Sequence, residues 1–138
     1  MKLRGRNMNY IDQLQQLLSN EQVTTNAVLL EQHGKDESYH VPHLPDVVVF
    51  PKTTEEVSKV VAFANENRIP VVPFGLGTSL EGHIIPYNGG ISLDLSLMNA
   101  VLEVRSDDFL VKVQPGVTRS QLNKELKKYG LFFSVDPG

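Results

Sequence analysis

Between Asp46 and Phe74 a short apolar run, a capped helical repeat and a second short apolar run follow one another. No other feature restricts the fold so tightly. "VVVF" (47–50) is a continuous, β-branched run stopped by Pro51, the mark of a strand buried on both faces. Thr53 and Glu56 form a capping box. Val57, Val60, Val61 and Ala64 follow at i, i+3, i+4 and i+7, one face of a helix that ends near "NENR". "IPVVPF" (69–74) is the second strand, and its two prolines suit strand ends or an edge position. A βαβ unit with parallel strands is the economical reading.

The flanks extend this unit to an α+β class: N-terminal helices, the small βαβ subdomain, then the start of a second sheet-containing subdomain. Asn9 can cap a helix over about 10–18, where Ile11, Leu14 and Leu18 recur at helical spacing, and Ser19 with Gln22 offers a second helix start. "NAVLLEQHG" is a further short amphipathic piece ending at Gly34, and "GKDESYHVPHLPD" reads as a loop. "ISLDLS" (91–96) alternates as a half-buried strand should. "AVLEVR" and "FLVKVQP" flank the turn signal "SDD". Thr118 and Gln121 open another helix with Leu122, Leu126 and Tyr129 on one face and Gly130 as its stop. "LFFSVDPG" begins a further strand.

Composition excludes several functions. Hydrophobic residues at 41% and charged residues at 21% are those of a globular chain, and a net charge of -3 gives no electrostatic footprint for nucleic acid. The absence of cysteine removes disulfides, thiolate catalysis and Cys-ligated metals and fits a reducing compartment. The basic start is followed by no apolar block, so neither a signal peptide nor a membrane span is expected, and a cytoplasmic location is.

The chemistry-bearing stretch is "VVPFGLGTSLEG" (71–82). Three glycines and a Thr-Ser pair follow a strand, and not one Lys or Arg lies between Arg68 and Arg105. A phosphate here would have to be held by backbone N–H groups and the hydroxyls of Thr78 and Ser79, with Gly75, Gly77 and Gly82 allowing left-handed or nest conformations. The Walker A pattern fails for want of a lysine. The dinucleotide fingerprint fails because Leu80 stands where its third glycine belongs and no helix follows. Taken alone, the loop is either a third kind of anion cradle or a tight turn.

The wider string decides between them by resemblance. "PDVVVFPKTTEEVSKVVAFANENRIPVVPFGLGTSLEG", "GGISLDLSLMN" and "VQPGVTRSQLNKELKKYGLFFSVDPG" resemble the FAD-linked oxidase family, with its vanillyl-alcohol oxidase / p-cresol methylhydroxylase type of flavin domain. The look is nearest to its D-lactate dehydrogenase and glycolate oxidase branch. The resemblance covers about residues 33–138. It divides the chain into a helical segment and loop over 1–44 and the N-terminal part of an FAD-binding domain, incomplete, over 45–138. It implies that Pro73, Gly75, Leu76, Gly77, Thr78, Ser79 and Gly82 wrap the FAD diphosphate. It also implies that Pro115, Gly116 and Val117 line the cofactor, and that Asp136, Pro137 and Gly138 approach the flavin. Thr78 occupies the place where many relatives carry a flavin-bearing histidine, and His83 lies beyond the motif, so non-covalent FAD is expected. The implied activity is oxidation of a small 2-hydroxy acid such as D-lactate or glycolate. Its substrate site is expected to lie outside this chain, whose own FAD binding should be weak and whose exposed end should favour self-association. Other flavin enzymes, acting on sugars or alcohols, are a neighbouring reading. A non-catalytic nucleotide-binding or interaction module is the alternative.

Other residues invite less. His33, His40 and His43 are read as solvated loop histidines rather than metal ligands, since Pro42 spoils any common face. Asp36 and Ser38 read as turn-formers, and "KELKK" (124–128) as the solvated face of the last helix. Asp94 is either a buried carboxylate near the cofactor or the polar half of a strand's alternation, the latter preferred. No catalytic constellation is visible.

Overall fold

The computed structural model describes residues 9–135. Ten elements follow in order: α1 (Asn9–Leu17), β1 (Val23–Thr24), α2 (Ala27–Gln32), β2 (Val47–Val49), α3 (Thr54–Glu66), β3 (Val71–Phe74), β4 (Ile91–Asp94), β5 (Val101–Arg105), β6 (Leu110–Val113) and α4 (Arg119–Leu126). They make a four-stranded mixed sheet in the order β1-β2-β4-β3 and a two-stranded hairpin, β5-β6. This is the expected α+β class.

The βαβ unit forms, with β4 inserted between its two strands. Val47 to Val49 and Val71 to Phe74 both run parallel to β4. β4 takes the central position because all four of its residues are buried, while β3 with its Pro73 stands at the edge. The half-buried alternation expected for Ile91–Ser96 is therefore corrected. Ile91 and Leu93 enter the core with Leu14, Val23, Val47, Val49, Val60 and Ala64, and Ser92 and Asp94 are buried on the opposite face. α3 is capped by Thr53 Oγ1, which accepts from Glu56 N at 3.1 Å. Glu56 returns to Lys52 N at 2.7 Å instead of to its own cap residue. Val57, Val60 and Ala64 face inward, but Val61 is exposed, so the apolar stripe is narrower than its spacing suggested.

Three further expectations change. Asn9 is the first residue of α1. Ser19 opens only a single 3-10 turn, Asn20–Gln22, because the chain then extends into β1, pairing antiparallel with β2 through Val23↔Val49 and Thr24↔Val48. Buried Gln22 ties this corner together, donating to Phe50 O at 3.0 Å and Glu56 Oε2 at 2.8 Å. "LFFSV" (131–135) is not a strand, having no partner strand among the described residues. Within α4, Leu122 and Leu126 are buried, whereas Tyr129 lies half-exposed in a 3-10 turn that ends at Gly130 (φ +68).

Candidate functional site

The C-terminal ends of the parallel strands converge on one cleft. Phe50 follows β2, Phe74 ends β3 and Asp94 ends β4, and all three line it. One wall is the end of α2 and the segment after it (Leu29, Gln32, His33, Lys35, Asp36, Glu37), and the other is Gly75–Gly77. Its volume is about 480 Å³. A crevice outside the carboxyl ends of parallel strands is where such sheets bind ligands, since loops there are free to vary while the strands stay fixed.

The glycine loop is shaped by two left-handed residues, Gly77 (φ +70) and Gly82 (φ +68). A Cβ on Gly77 would stand 2.7 Å from the Phe74 ring, so that position needs glycine for both torsion and space. Gly75 differs: a Cβ there would meet nothing within 4 Å, and the residue lines the cleft. Among the described residues, no hydrogen bond takes up the backbone N–H groups of Leu76, Gly77, Thr78, Ser79 or Leu80. A row of unengaged amides around a left-handed glycine is the donor set that an anionic diphosphate requires. On this observation the residues fit the group: the amides of Leu76 to Leu80 and the Thr78 and Ser79 side chains would hold it.

The fold adds a cation that the local sequence lacks. Lys35, forty residues before the loop, lines the same cleft. Two of the cleft's three carboxylates are engaged elsewhere. Asp36 accepts from Gly82 N at 2.8 Å, and Asp94 accepts from Ser96 N at 2.7 Å while lying 2.8 Å from His33 Nε2. Hydrogen bonds from Ser38 hold the Asp36 carboxyl below its ordinary value. Burial pushes the Asp94 carboxyl up, but the hydrogen bonds from His33 and Ser96 prevail and leave it lowered.

His33 and Asp94 correct two readings. His33 is buried, not solvated, packed against Phe74 with ring centroids 4.2 Å apart. Asp94 is a buried hydrogen-bonding carboxylate, not the exposed half of an alternation. No local pattern marks either residue, because they meet only when the end of α2 lies on the sheet. Asp36 and Ser38 do form a turn, Ser38 N donating to Asp36 Oδ1 at 3.0 Å, but Asp36 also reaches the loop. His40 lies against Gly82, and His43 sets its ring edgewise to Tyr87 at 4.9 Å. Among the described residues, no group of three or more His, Asp or Glu side chains is arranged to hold a metal.

The remaining expected residues divide. Pro73 and Thr78 are exposed, and Ser79 is partly buried. Gly116 approaches the backbone so closely that a Cβ would lie 2.2 Å from Leu95 O, and its N–H donates to Met98 O at 2.8 Å. Since Leu95 N in turn donates to Phe74 O at 3.0 Å, Pro115–Val117 sits at the same end of the sheet as the glycine loop. Asp136, Pro137 and Gly138 lie outside the described residues. No helix among the described residues is long and apolar enough to cross a membrane.

Known proteins resemble this chain in sequence and in fold. The chain is 43% identical over 128 residues to a probable mitochondrial D-lactate dehydrogenase of Danio rerio, covering 93% of this chain and 26% of that protein. It is 44% identical over 130 residues to the mitochondrial D-lactate dehydrogenase [cytochrome] of Arabidopsis thaliana, covering 93% and 23%. With glycolate oxidase subunit GlcD of Bacillus subtilis it shares 37% identity over 105 residues, 76% of this chain and 22% of the other. The chain thus spans about a quarter of the length of these relatives. Among solved structures, p-cresol methylhydroxylase with substrate bound superposes with a TM-score of 0.78 at 26% identity, over 88% of this chain and 24% of that one. A family model described as an FAD binding domain matches residues 45–138. On this match and these relatives, the chain belongs to the FAD-binding-domain family of FAD-linked oxidoreductases.

Proposed function

We propose that the chain supplies the diphosphate-holding part of the FAD site in a flavoprotein that oxidises a small 2-hydroxy acid of the D-lactate or glycolate type. The observation that carries the cofactor half of this reading is the row of unengaged amides from Leu76 to Leu80, beside the open face of Gly75. The substrate half is supported by relatives named D-lactate dehydrogenase and glycolate oxidase. Nothing in those names supports the alternative of a non-catalytic module.

FAD, when bound, supplies an acceptor for the two electrons leaving the substrate's α-carbon. This chain's part is to bind and orient. The loop amides meet the diphosphate, Lys35 offsets part of its charge, and the buried His33–Asp94 pair fixes the floor on which the loop rests. The FAD is held without a covalent bond, since Thr78 offers no ring nitrogen for attachment and His83 lies past the loop's amide row. Exposed Phe109 and Phe132, 82% and 75% accessible, favour self-association of the chain through that apolar end.

The test is an amide-resolved titration of the chain with FAD, with riboflavin as the ligand lacking the diphosphate. FAD should shift the amide resonances of residues 75–80 and riboflavin should leave them in place. Shifts confined to other regions would overturn the cradle. For the substrate, D-lactate and glycolate should reduce the flavin of the FAD-loaded full-length oxidoreductase, and failure of both would overturn that half.

A further inference from the structure

Gly82 closes the glycine loop, and the segment Asp36–His40 grips it from two sides. Asp36 Oδ2 accepts the Gly82 N–H at 2.8 Å, while Asp36 Oδ1 accepts from Ser38 N at 3.0 Å and from the Ser38 hydroxyl. The same hydroxyl lies 2.6 Å from His40 Nδ1, which sets the imidazole over Gly82. A Cβ on Gly82 would stand 2.8 Å from His40 Cγ, so the ring occupies the space a side chain would need. The other end of the loop is held independently, by β3 and by the Phe74 ring against Gly77. Between these two anchors lie the amides of Leu76 to Leu80, which no acceptor in the described residues takes up.

We propose that Asp36 is a positioning residue for the glycine loop: one carboxylate oxygen holds its own turn, and the other holds Gly82. His40, fixed through Ser38, closes over Gly82 and keeps it in place. With its far end pinned 46 residues away in sequence, the loop cannot fold back and satisfy its amides internally, so they stay presented to a ligand. The geometry requires two acceptor oxygens on one side chain. Asparagine supplies one oxygen and one NH2 group, so it can keep the Ser38 turn but turns a donor toward the Gly82 N–H. This separates positioning from mere turn formation. The link to a diphosphate rests on the FAD reading above; the grip on the loop does not.

The experiment uses the 138-residue chain with Asp36→Asn and Asp36→Ala, and reads three quantities. Amide hydrogen exchange at Gly82 and Ile85 reports the grip, FAD affinity by calorimetry reports the consequence, and thermal unfolding reports the fold. Both variants should exchange at least about ten-fold faster at Gly82 and bind FAD about ten-fold more weakly, a change that corresponds to about 1.4 kcal/mol. Asp36→Asn should unfold within a few degrees of the parent, because the turn is retained. Unchanged exchange at Gly82 in the asparagine variant would overturn the grip whatever happens to FAD. Faster exchange with unchanged FAD affinity would overturn the positioning role and leave the cradle reading intact. If FAD leaves residues 75–80 of the parent chain unperturbed, the cradle fails and the role toward the cofactor with it, while the exchange result still decides the grip.

Discussion

His33 Nε2 lies 2.8 Å from Asp94 Oδ2, a buried contact between residues 61 apart in sequence that joins the end of α2 to the end of β4. The ring's other nitrogen, Nδ1, is 2.8 Å from Leu29 O. Each ring nitrogen therefore has an oxygen within hydrogen-bonding distance, one on the helix and one on the strand end. The pair is therefore a strut under the cleft, holding its α2 wall to its floor.

Asp94→Ala should destabilise the chain by about 1–3 kcal/mol, because it leaves a buried ring nitrogen and the Ser96 N–H without their acceptor. The Asp94 carboxyl is lowered in the folded chain from its ordinary 3.8. Its stabilising contribution is then fully present above that value and lost as pH falls through the lower folded value. Thermal unfolding of the parent and of Asp94→Ala from pH 7 to pH 2 checks this. The gap between them should be constant from pH 7 to about 5 and close below 3.8; a gap that widens on acidification would contradict the assigned direction.

Gly77 and Gly75 should separate folding from binding. Gly77→Val puts a β-branched residue at φ +70 and against the Phe74 ring, so it should cost about 1–3 kcal/mol of strain and abolish FAD retention. Gly75→Ala meets nothing within 4 Å, so unfolding should be unaltered. If that face receives the ligand, FAD affinity should nonetheless drop ten-fold or more. Parallel melting curves and FAD titrations of the two variants measure both quantities, and an alanine variant that binds like the parent would place the ligand elsewhere.

Acid or heat denaturation of the FAD-loaded full-length protein should release all of its flavin into the supernatant. Intact-mass measurement of the precipitated chain should return the unmodified polypeptide. A flavin-sized increment on any peptide, that containing His83 included, would refute non-covalent attachment.

Val104, Phe109, Leu110, Val111, Leu126 and Leu131–Phe133 line an apolar groove of about 90 Å³ at the hairpin end. Phe109→Ser combined with Phe132→Ser should shift the chain toward monomer, because each removes exposed aromatic surface from it without touching a buried core residue. Sedimentation velocity over a concentration series measures this, and identical profiles for parent and variant would exclude this end as the contact.

Local chemistry was sufficient wherever a signal acts within a few residues. The Thr53 and Thr118 caps, the β-branched run at Val47–Val49, the turn between β5 and β6 and the left-handed Gly77 are each set by neighbours in sequence, and each is legible there. The edge position of β3 was legible too, since proline lacks the N–H that a central strand must donate. Tertiary structure decided the rest. β1 is two residues long and exists only because β2 offers it an edge, and alternation in "ISLD" hid a central strand whose two polar residues are buried. Lys35, His33, Asp36 and His40 reach the cleft or its loop only after the segment following α2 folds across the strand ends. A sequence records what each residue prefers against its neighbours. Which carboxylate meets which amide 46 residues away is fixed by how the segment after α2 packs across the strand ends, which no local preference encodes.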